Sequence, residues 1–330
     1  MRIAIALGIV YVVWGSTYLA IAVADRTLPP LLMLAVRFGL AGGLLYVWSA
    51  WRGDVAAARL GRREWTAAAV VGGLLLFVDT GGIAWAEQRV ASGLTALLVA
   101  AVPLFTALLD RTFFGVRLSL GGLAGIATGL LGVALLVGPS AHVDPVGAVV
   151  ILGAAFAWAA GSAYGRVAPL PQAPFLSAAM QMLCAAALLG IAGTAMGEVG
   201  RVHPAAISAS SAAAFGFLVV FGSIVAFTAY GWLLRSGAPS VLVSTYAYVN
   251  PAVAVLLGWA FAGEAVGGRE LAAGAVVVAS VGMLVLARHA PGADTEPTPE
   301  TLGPYLRRKE AQENVPPLVP RLADLRRLAP

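Results

Sequence analysis

Apolar residues run along this chain in ten stretches, near 3–24, 31–51, 65–86, 91–109, 119–138, 146–165, 173–196, 212–234, 239–262 and 269–287. A hydrocarbon core about 30 Å thick takes about 20 helical residues to cross, and every stretch is close to that length. None carries the polar stripe at helical period that a helix on the surface of a soluble protein presents. The pattern predicts an all-α integral membrane protein of ten transmembrane helices. Arg2 followed by an apolar run ending Ala22-Val23-Ala24 has the outline of a secretory signal. The run exceeds the core of about 7–15 residues that a signal uses, so it is read as the first span.

Composition agrees, with 11% charged against 60% hydrophobic residues. Cys184 is the sole cysteine, which excludes an intramolecular disulfide and a cysteine-clustered metal site. His142, His203 and His289 fall in loops or at a helix end without ligand spacing, so neither metal nor cofactor is expected. Ten spans put both termini on one side. That side collects Arg2, Arg52, Arg59, Arg62, Arg63, Arg111, Arg117, Arg166, Arg235 and the basic residues after 287. The other has Arg26, Arg89, Arg201 and Arg269. Positive charge accumulates in cytoplasmic loops, so the expectation is a multi-pass protein of the cytoplasmic membrane with both termini inside. The net charge of +5 then reports topology, and no nucleic-acid partner is invoked. Residues 288–330 turn Pro-, Glu- and Arg-rich and read as a disordered basic cytoplasmic tail. Within it, Leu318 to Leu328 has spacings that allow a short basic amphipathic helix at the anionic leaflet, although a solvated tail is the simpler reading.

The second half repeats landmarks of the first. Gly15-Ser16-Thr17-Tyr18 recurs as Gly161-Ser162-Ala163-Tyr164, each preceded by a tryptophan, Trp14 and Trp158. Pro103 recurs as Pro251 and Gly115 as Gly263, both pairs at one offset. The expected organisation is one five-helix repeat over 3–138 and a second over 146–287. Five is odd, so the second copy enters the membrane from the opposite face, giving inverted repeats about an axis in the membrane plane. Secondary transporters use this arrangement to expose a central site alternately to each side.

These residues resemble the drug/metabolite transporter superfamily, with two EamA-type halves spanning nearly all of 3–287. The resemblance rests on Trp14-Gly15-Ser16, Ala100 to Leu104, Trp158 with Gly161-Ser162, Tyr248-Val249-Asn250-Pro251 and Gly263-Glu264. Glu87-Gln88 with Ser92-Gly93, and Ser244 to Tyr248, look most like the YedA-like bacterial inner-membrane branch. The resemblance implies ten helices, cytoplasmic termini and export of small metabolites. The Gly-Glu that members often carry after the fourth span reads Gly115-Val116 here, which leaves that glutamate only at Glu264.

A transporter needs polar groups near the midplane. Pro103 and Pro251 each remove an amide donor and free a carbonyl one turn earlier, which serves either a ligand or a packing kink. Thr245, Tyr246, Tyr248 and Asn250 crowd hydroxyls, an amide and rings beside Pro251, with Thr245 and Tyr248 on one face and Tyr246 and Asn250 on another. Trp14, Ser16, Thr17, Trp158 and Ser162 lie near mid-span and join the candidate substrate path. So do Arg37 and Asp79, because ionisable groups inside a span are costly. Their similar depth on consecutive antiparallel spans makes an ion pair between them plausible, either beside the path or as a static structural pair. Glu87, Asp110, Arg235 and Glu264 fall at span ends and read as interface anchors first, with Glu87, Arg235 and Glu264 as gate candidates. Glycines at 121, 122, 125, 129 and 132, and at 268, 274 and 282, read as packing faces of the fifth and tenth spans, between helices or between protomers.

The reading is a secondary transporter of small organic metabolites such as amino acids, an exporter working by alternating access, with a small-molecule substrate and the bilayer as its partners. The chain has no phosphate-binding loop of the form G-x-x-x-x-G-K-[ST], so ATP does not drive it within this chain. Proton coupling through Asp79 or Glu264 and facilitated diffusion both fit; oligomeric state is left open. An enzyme would need convergent acid, base or metal groups that the spans do not offer. The alternative is a membrane helper that recruits partners through its basic tail.

Overall fold

The computed structural model describes residues 2–58, 60–90, 95, 98–116, 119–137, 144–262 and 267–287. Glu264 and the tail 288–330 lie outside them. The described residues form helices α1 (Arg2–Ala24), α2 (Pro30–Trp51), a short α3 (Asp54–Ala58), α4 (Arg62–Ala86), α5 (Val102–Phe114) and α6 (Leu120–Val137). Then follow α7 (Pro145–Val167), α8 (Pro174–Ala195), α9 (Ala209–Arg235), α10 (Ser240–Ser244), α11 (Tyr246–Ala262) and α12 (Gly268–Ala287). No strand occurs among the described residues. Six helices, α1, α2, α4, α7, α8 and α9, are long and apolar enough to cross a membrane, and α6 and α12 contain shorter apolar helices. Exposed leucines, valines and phenylalanines such as Leu120, Val149, Val278 and Phe113 cover the outside, as a lipid-facing surface requires.

The stretches at 91–109 and 239–262 are not unbroken helices, unlike the sequence expectation. Ala100 and Ala101 form a turn before α5, and Thr245 interrupts the chain between α10 and α11. At the second break the Ser244 and Thr245 hydroxyls donate to the carbonyls of Val241 and Leu242, at 2.8 and 2.6 Å. Such local bonds compete with the helical ladder. Pro251 lies inside α11, whereas Pro103 stands in the first turn of α5. There its missing N–H costs nothing, so Pro103 starts a helix instead of kinking one.

Two segments depart from α-helix in a way the apolar pattern does not signal. Gly73–Gly81 in α4 and Leu218–Val225 in α9 are π-helical. Aligned on the Pro103 and Pro251 register, the two stretches overlap. A π-turn inserts a residue and turns the following side chains, and such turns recur at functional sites.

Packing repeats between halves. α2 lies along α8 and α6 along α12; α1 contacts α9 and α11, while α7 contacts α4 and α5. Close approach is set by single glycines. A Cβ at Gly72 would stand 2.2 Å from the Gln181 carbonyl oxygen of α8, and one at Gly129 would stand 2.6 Å from the Tyr248 ring. In α12, Gly268, Gly274 and Gly282 have nothing within 4 Å of an added Cβ, so they take no part in close packing against the other described helices of this chain. The α6–α12 contact uses α6 glycines against Val277 and Leu284, with the Ser280 hydroxyl donating to the Gly125 carbonyl at 2.9 Å. Glu198 ties the halves together by accepting from the Leu31 and Leu32 amides at the start of α2, at 3.3 and 2.8 Å, where a carboxylate meets the helix dipole favourably.

Candidate functional site

A cavity of about 140 Å³ lies among α1, α2, α4, the start of α5, α7, α9 and α11. An apolar cavity of this size accommodates a molecule of about the size of benzene. Of the sequence candidates, Trp14, Thr17, Arg37, Asp79, Trp158, Tyr246 and Asn250 line it. Ile21, Ile83 and Val99 extend the wall toward the end of the bundle where α1 ends and α2 begins.

The floor is a four-ring cluster. Trp14 stands 5.4 Å from Trp158, 5.1 Å from Tyr230 and 5.0 Å from Tyr246 between ring centroids. Trp158 and Tyr230 are 5.2 Å apart, and Tyr230 and Tyr246 5.7 Å. Such mixed edge and tilted contacts are the favourable geometry for aromatic quadrupoles. Hydrogen bonds fix the rings: Trp158 Nε1 donates to the Tyr230 hydroxyl at 2.8 Å, which pairs with Ser162 Oγ at 2.6 Å. Trp14 Nε1 donates to the Gly222 carbonyl at 3.1 Å, inside the π-helical stretch of α9. Tyr230 was not among the sequence candidates; a lone tyrosine about one turn inside the end of an apolar span was its only signal.

The charged wall differs from expectation. Among the described residues the only ion pair within 4.0 Å joins Arg166 and Asp110, so the expected Arg37–Asp79 pair is absent. Arg37, 5% exposed, instead donates from Nε to Ser223 Oγ at 2.8 Å and stands over the Phe38 ring at 5.1 Å. Gly222 and Ser223, which meet the guanidinium, lie in the π-helical stretch of α9. A Cβ at Gly222 would stand 2.7 Å from Arg37 Nη2, so glycine makes the room the arginine occupies. Asp79, 7% exposed, is held in the π-helical stretch of α4. Neighbouring Thr80 donates to the Leu75 carbonyl at 3.2 Å, five residues back as π geometry allows.

Other candidates sit off the cavity wall. Ser16 donates to the Val13 carbonyl at 2.7 Å. Thr245 bonds the Tyr11 hydroxyl at 2.5 Å, and Tyr248 packs toward α6, its hydroxyl 3.5 Å from the Ile126 carbonyl. Pro103 and Pro251 do not line the cavity, though Val102 and Asn250 beside them do. The Asn250 amide finds its partners with nitrogen toward the Tyr246 and Tyr11 carbonyls, at 3.1 and 3.3 Å. Ser162 lines a separate small cavity with Thr106, Arg166, Tyr230, Ser240 and Ser244, on the other side of the aromatic floor.

That second cavity carries a feature sequence reasoning had placed only at an interface. Arg166 at the end of α7 pairs with Asp110 of α5, bonds Ser240 at the start of α10, and stacks on the Phe114 ring at 4.2 Å. One guanidinium thus ties three elements. Arg235 donates to the Pro171 carbonyl at 2.7 Å. Glu87 caps the end of α4 at the opposite end of the bundle, where burial and then the nearby charge of Asp25 push its carboxyl up to about 7. Burial, and then Glu198, raise Asp25 to about 6. No group of three or more metal-ligating side chains occurs among the described residues.

Comparison with known proteins accords with this architecture. The EamA-like transporter family profile matches residues 2–138 and again 145–286. The chain is 40% identical over 286 residues to the uncharacterized inner membrane transporter YedA of Escherichia coli K12, covering 86% of this chain and 90% of that protein. It is 30% identical over 161 residues to a probable amino-acid metabolite efflux pump of the same organism, covering 48% of this chain and 51% of the pump. A solved crystal structure, 22% identical, superposes with a TM-score of 0.73 over 87% of this chain and 97% of its own, and shares the fold. A twice-matched family profile and a relative aligned over nearly its whole length establish that this multi-pass membrane protein belongs to the EamA-like transporter family, within the drug/metabolite transporters.

Proposed function

We propose that the chain is a secondary transporter that exports small organic metabolites, amino acids among them, across the cytoplasmic membrane by alternating access. The observation that carries this reading is the central cavity, which has a charged wall and an aromatic floor and sits where the two halves meet. The packing supports inverted repeats, because exchanging the halves converts the α1–α11 contact into α7–α5, and α1–α9 into α7–α4, and leaves α2–α8 and α6–α12 in place. The breaks before α5 and within 239–262 fall within about one helical turn of each other in the Pro103–Pro251 register, in keeping with the discontinuous helices of transporters. On this reading the ten spans are the six long helices, the two shorter ones and the two stretches with breaks.

With the arginine-rich end in the cytoplasm by the positive-inside rule, this conformation faces outward. From the cavity the path to the cytoplasm is closed twice, by the Trp14–Trp158–Tyr230–Tyr246 layer and then by Arg166 with Asp110 and Ser240. Export then requires both layers to open to load the cavity from inside, and to close as the cargo leaves. The similarity to a probable amino-acid metabolite efflux pump supports amino acids and their relatives as cargo. The test is counterflow in proteoliposomes with a labelled panel of amino acids and related metabolites, with and without an imposed pH gradient. Saturable exchange of one or more members is expected; its response to the gradient separates proton coupling from facilitated diffusion. Absence of exchange by folded protein across the panel contradicts the proposal.

A further inference from the structure

The cavity wall holds a guanidinium and a carboxylate that do not pair with each other. We propose that they form a two-point clamp for a zwitterionic amino acid, Arg37 receiving its carboxylate and Asp79 its ammonium, with the side chain on the aromatic floor. The inference rests on the transporter reading above and names the chemistry of its cargo.

Four observations carry it. Arg37 and Asp79 are each more than nine-tenths buried and line one cavity, yet no ion pair within 4.0 Å engages either among the described residues. Arg37 is held by Nε on Ser223, and Gly222 leaves space for Nη2. This presents the terminal nitrogens as the fork that receives a carboxylate in two parallel bonds. The second copy of the fold supplies an internal control. Pro30 and Pro174 begin α2 and α8, and Arg37 on the first corresponds to Gln181 on the second. In the Pro103–Pro251 register Asp79 corresponds to Phe227, so the same architecture forms there without either charge. Packing alone does not call for these charges, and membrane burial makes them costly. A ligand with one charge would leave the other group unmatched, whereas a zwitterion satisfies both. Trp14, Trp158 and Tyr246 offer apolar faces to the remaining part of a small ligand.

Binding to the purified full-length chain, read by tryptophan fluorescence, tests the clamp with alanine, threonine, valine, leucine and phenylalanine. Each is compared with its amide, which lacks the carboxylate, and its N-acetyl form, which lacks the ammonium. At least one free amino acid is expected to bind saturably, with both blocked forms weaker by about tenfold or more, the effect of losing a charge-assisted bond. Arg37→Gln is expected to erase the preference over the amide and Asp79→Asn the preference over the N-acetyl form. Arg37→Lys, which keeps the charge, retains part of the first preference and controls for folding. Equal binding of blocked and free forms, full preference in either neutral variant, or no binding of any free amino acid overturns the clamp. Counterflow separates this from the reading beneath it. An amide exchanged as fast as its parent removes the clamp and leaves transport standing, while clamp-dependent binding without any exchange removes transport and leaves the clamp.

Discussion

Asp110→Asn should unlatch the cytoplasmic side. Asp110 pairs with Arg166, the two side chains being 6% and 21% exposed, at the end of the bundle that the proposed orientation places in the cytoplasm. A hydrogen bond to a charged partner in such a setting contributes about 1.5–3 kcal/mol net. Asparagine keeps an acceptor, and Arg166 keeps Ser240 and the Phe114 ring, so the lower end of that range applies. If the latch exists only with the inner path closed, losing about 1.5 kcal/mol shifts the equilibrium toward the inward-open state by about tenfold. Cys184 is the only cysteine, so replacing it by alanine gives a clean background for a reporter. Ala163→Cys places a thiol in the small cavity behind the latch. A membrane-impermeant maleimide applied from the cytoplasmic side should label it up to about tenfold faster with Asp110→Asn, and Arg166→Gln should act in the same direction. Labelling rates indifferent to both substitutions, in folded protein, refute the latch.

Other outcomes follow from single contacts. Gly72→Ala sets a Cβ 2.2 Å from backbone oxygen of Gln181, so α4 and α8 must part; overpacking of this kind costs about 1–3 kcal/mol and should lower Tm in detergent. Tyr230→Phe strands the Trp158 N–H and should lower Tm through an unsatisfied buried donor, about 1–3 kcal/mol, and alter tryptophan emission. Gly222→Ala meets the movable end of Arg37, so it should weaken cargo binding while leaving Tm nearly unchanged. Glu87 holds its proton more tightly folded, at about 7 against the usual 4.5, so the folded state binds more protons between those values and stability falls as pH rises through that window. Glu87→Gln should flatten the Tm-against-pH curve there. Removing residues 288–330 should leave counterflow intact; its loss would favour the helper reading over transport.

Membrane class and six of the long apolar helices were legible because they follow from where apolar residues start and stop, and the family from short motifs around Trp14, Pro103, Trp158 and Pro251. Trp14, Trp158, Tyr246 and Asn250 could be picked out because aromatic and amide groups at mid-span have no place in lipid. The expected Arg37–Asp79 pair does not form, since depth along a span does not say which way a side chain faces, and Arg37 meets Ser223 of α9 instead. Nothing in Gly73–Gly81 or Leu218–Val225 announces a π-turn in the apolar pattern. Asp110 looked like an interface anchor and Arg166 only like one of the charges that set topology, because their partnership joins α7 to α5, a contact that only tertiary packing creates. Likewise composition does not tell which face of α12 meets α6, a contact that Val277, Ser280 and Leu284 make.

The most direct test of the account blocks the cavity during transport. Thr80→Cys in the Cys184→Ala background puts a thiol on the cavity wall, and counterflow of a labelled substrate is measured before and after an impermeant thiol reagent is added from outside. The account predicts that labelling abolishes exchange and that substrate protects the thiol. Complete labelling with undiminished exchange would place the path elsewhere and contradict it.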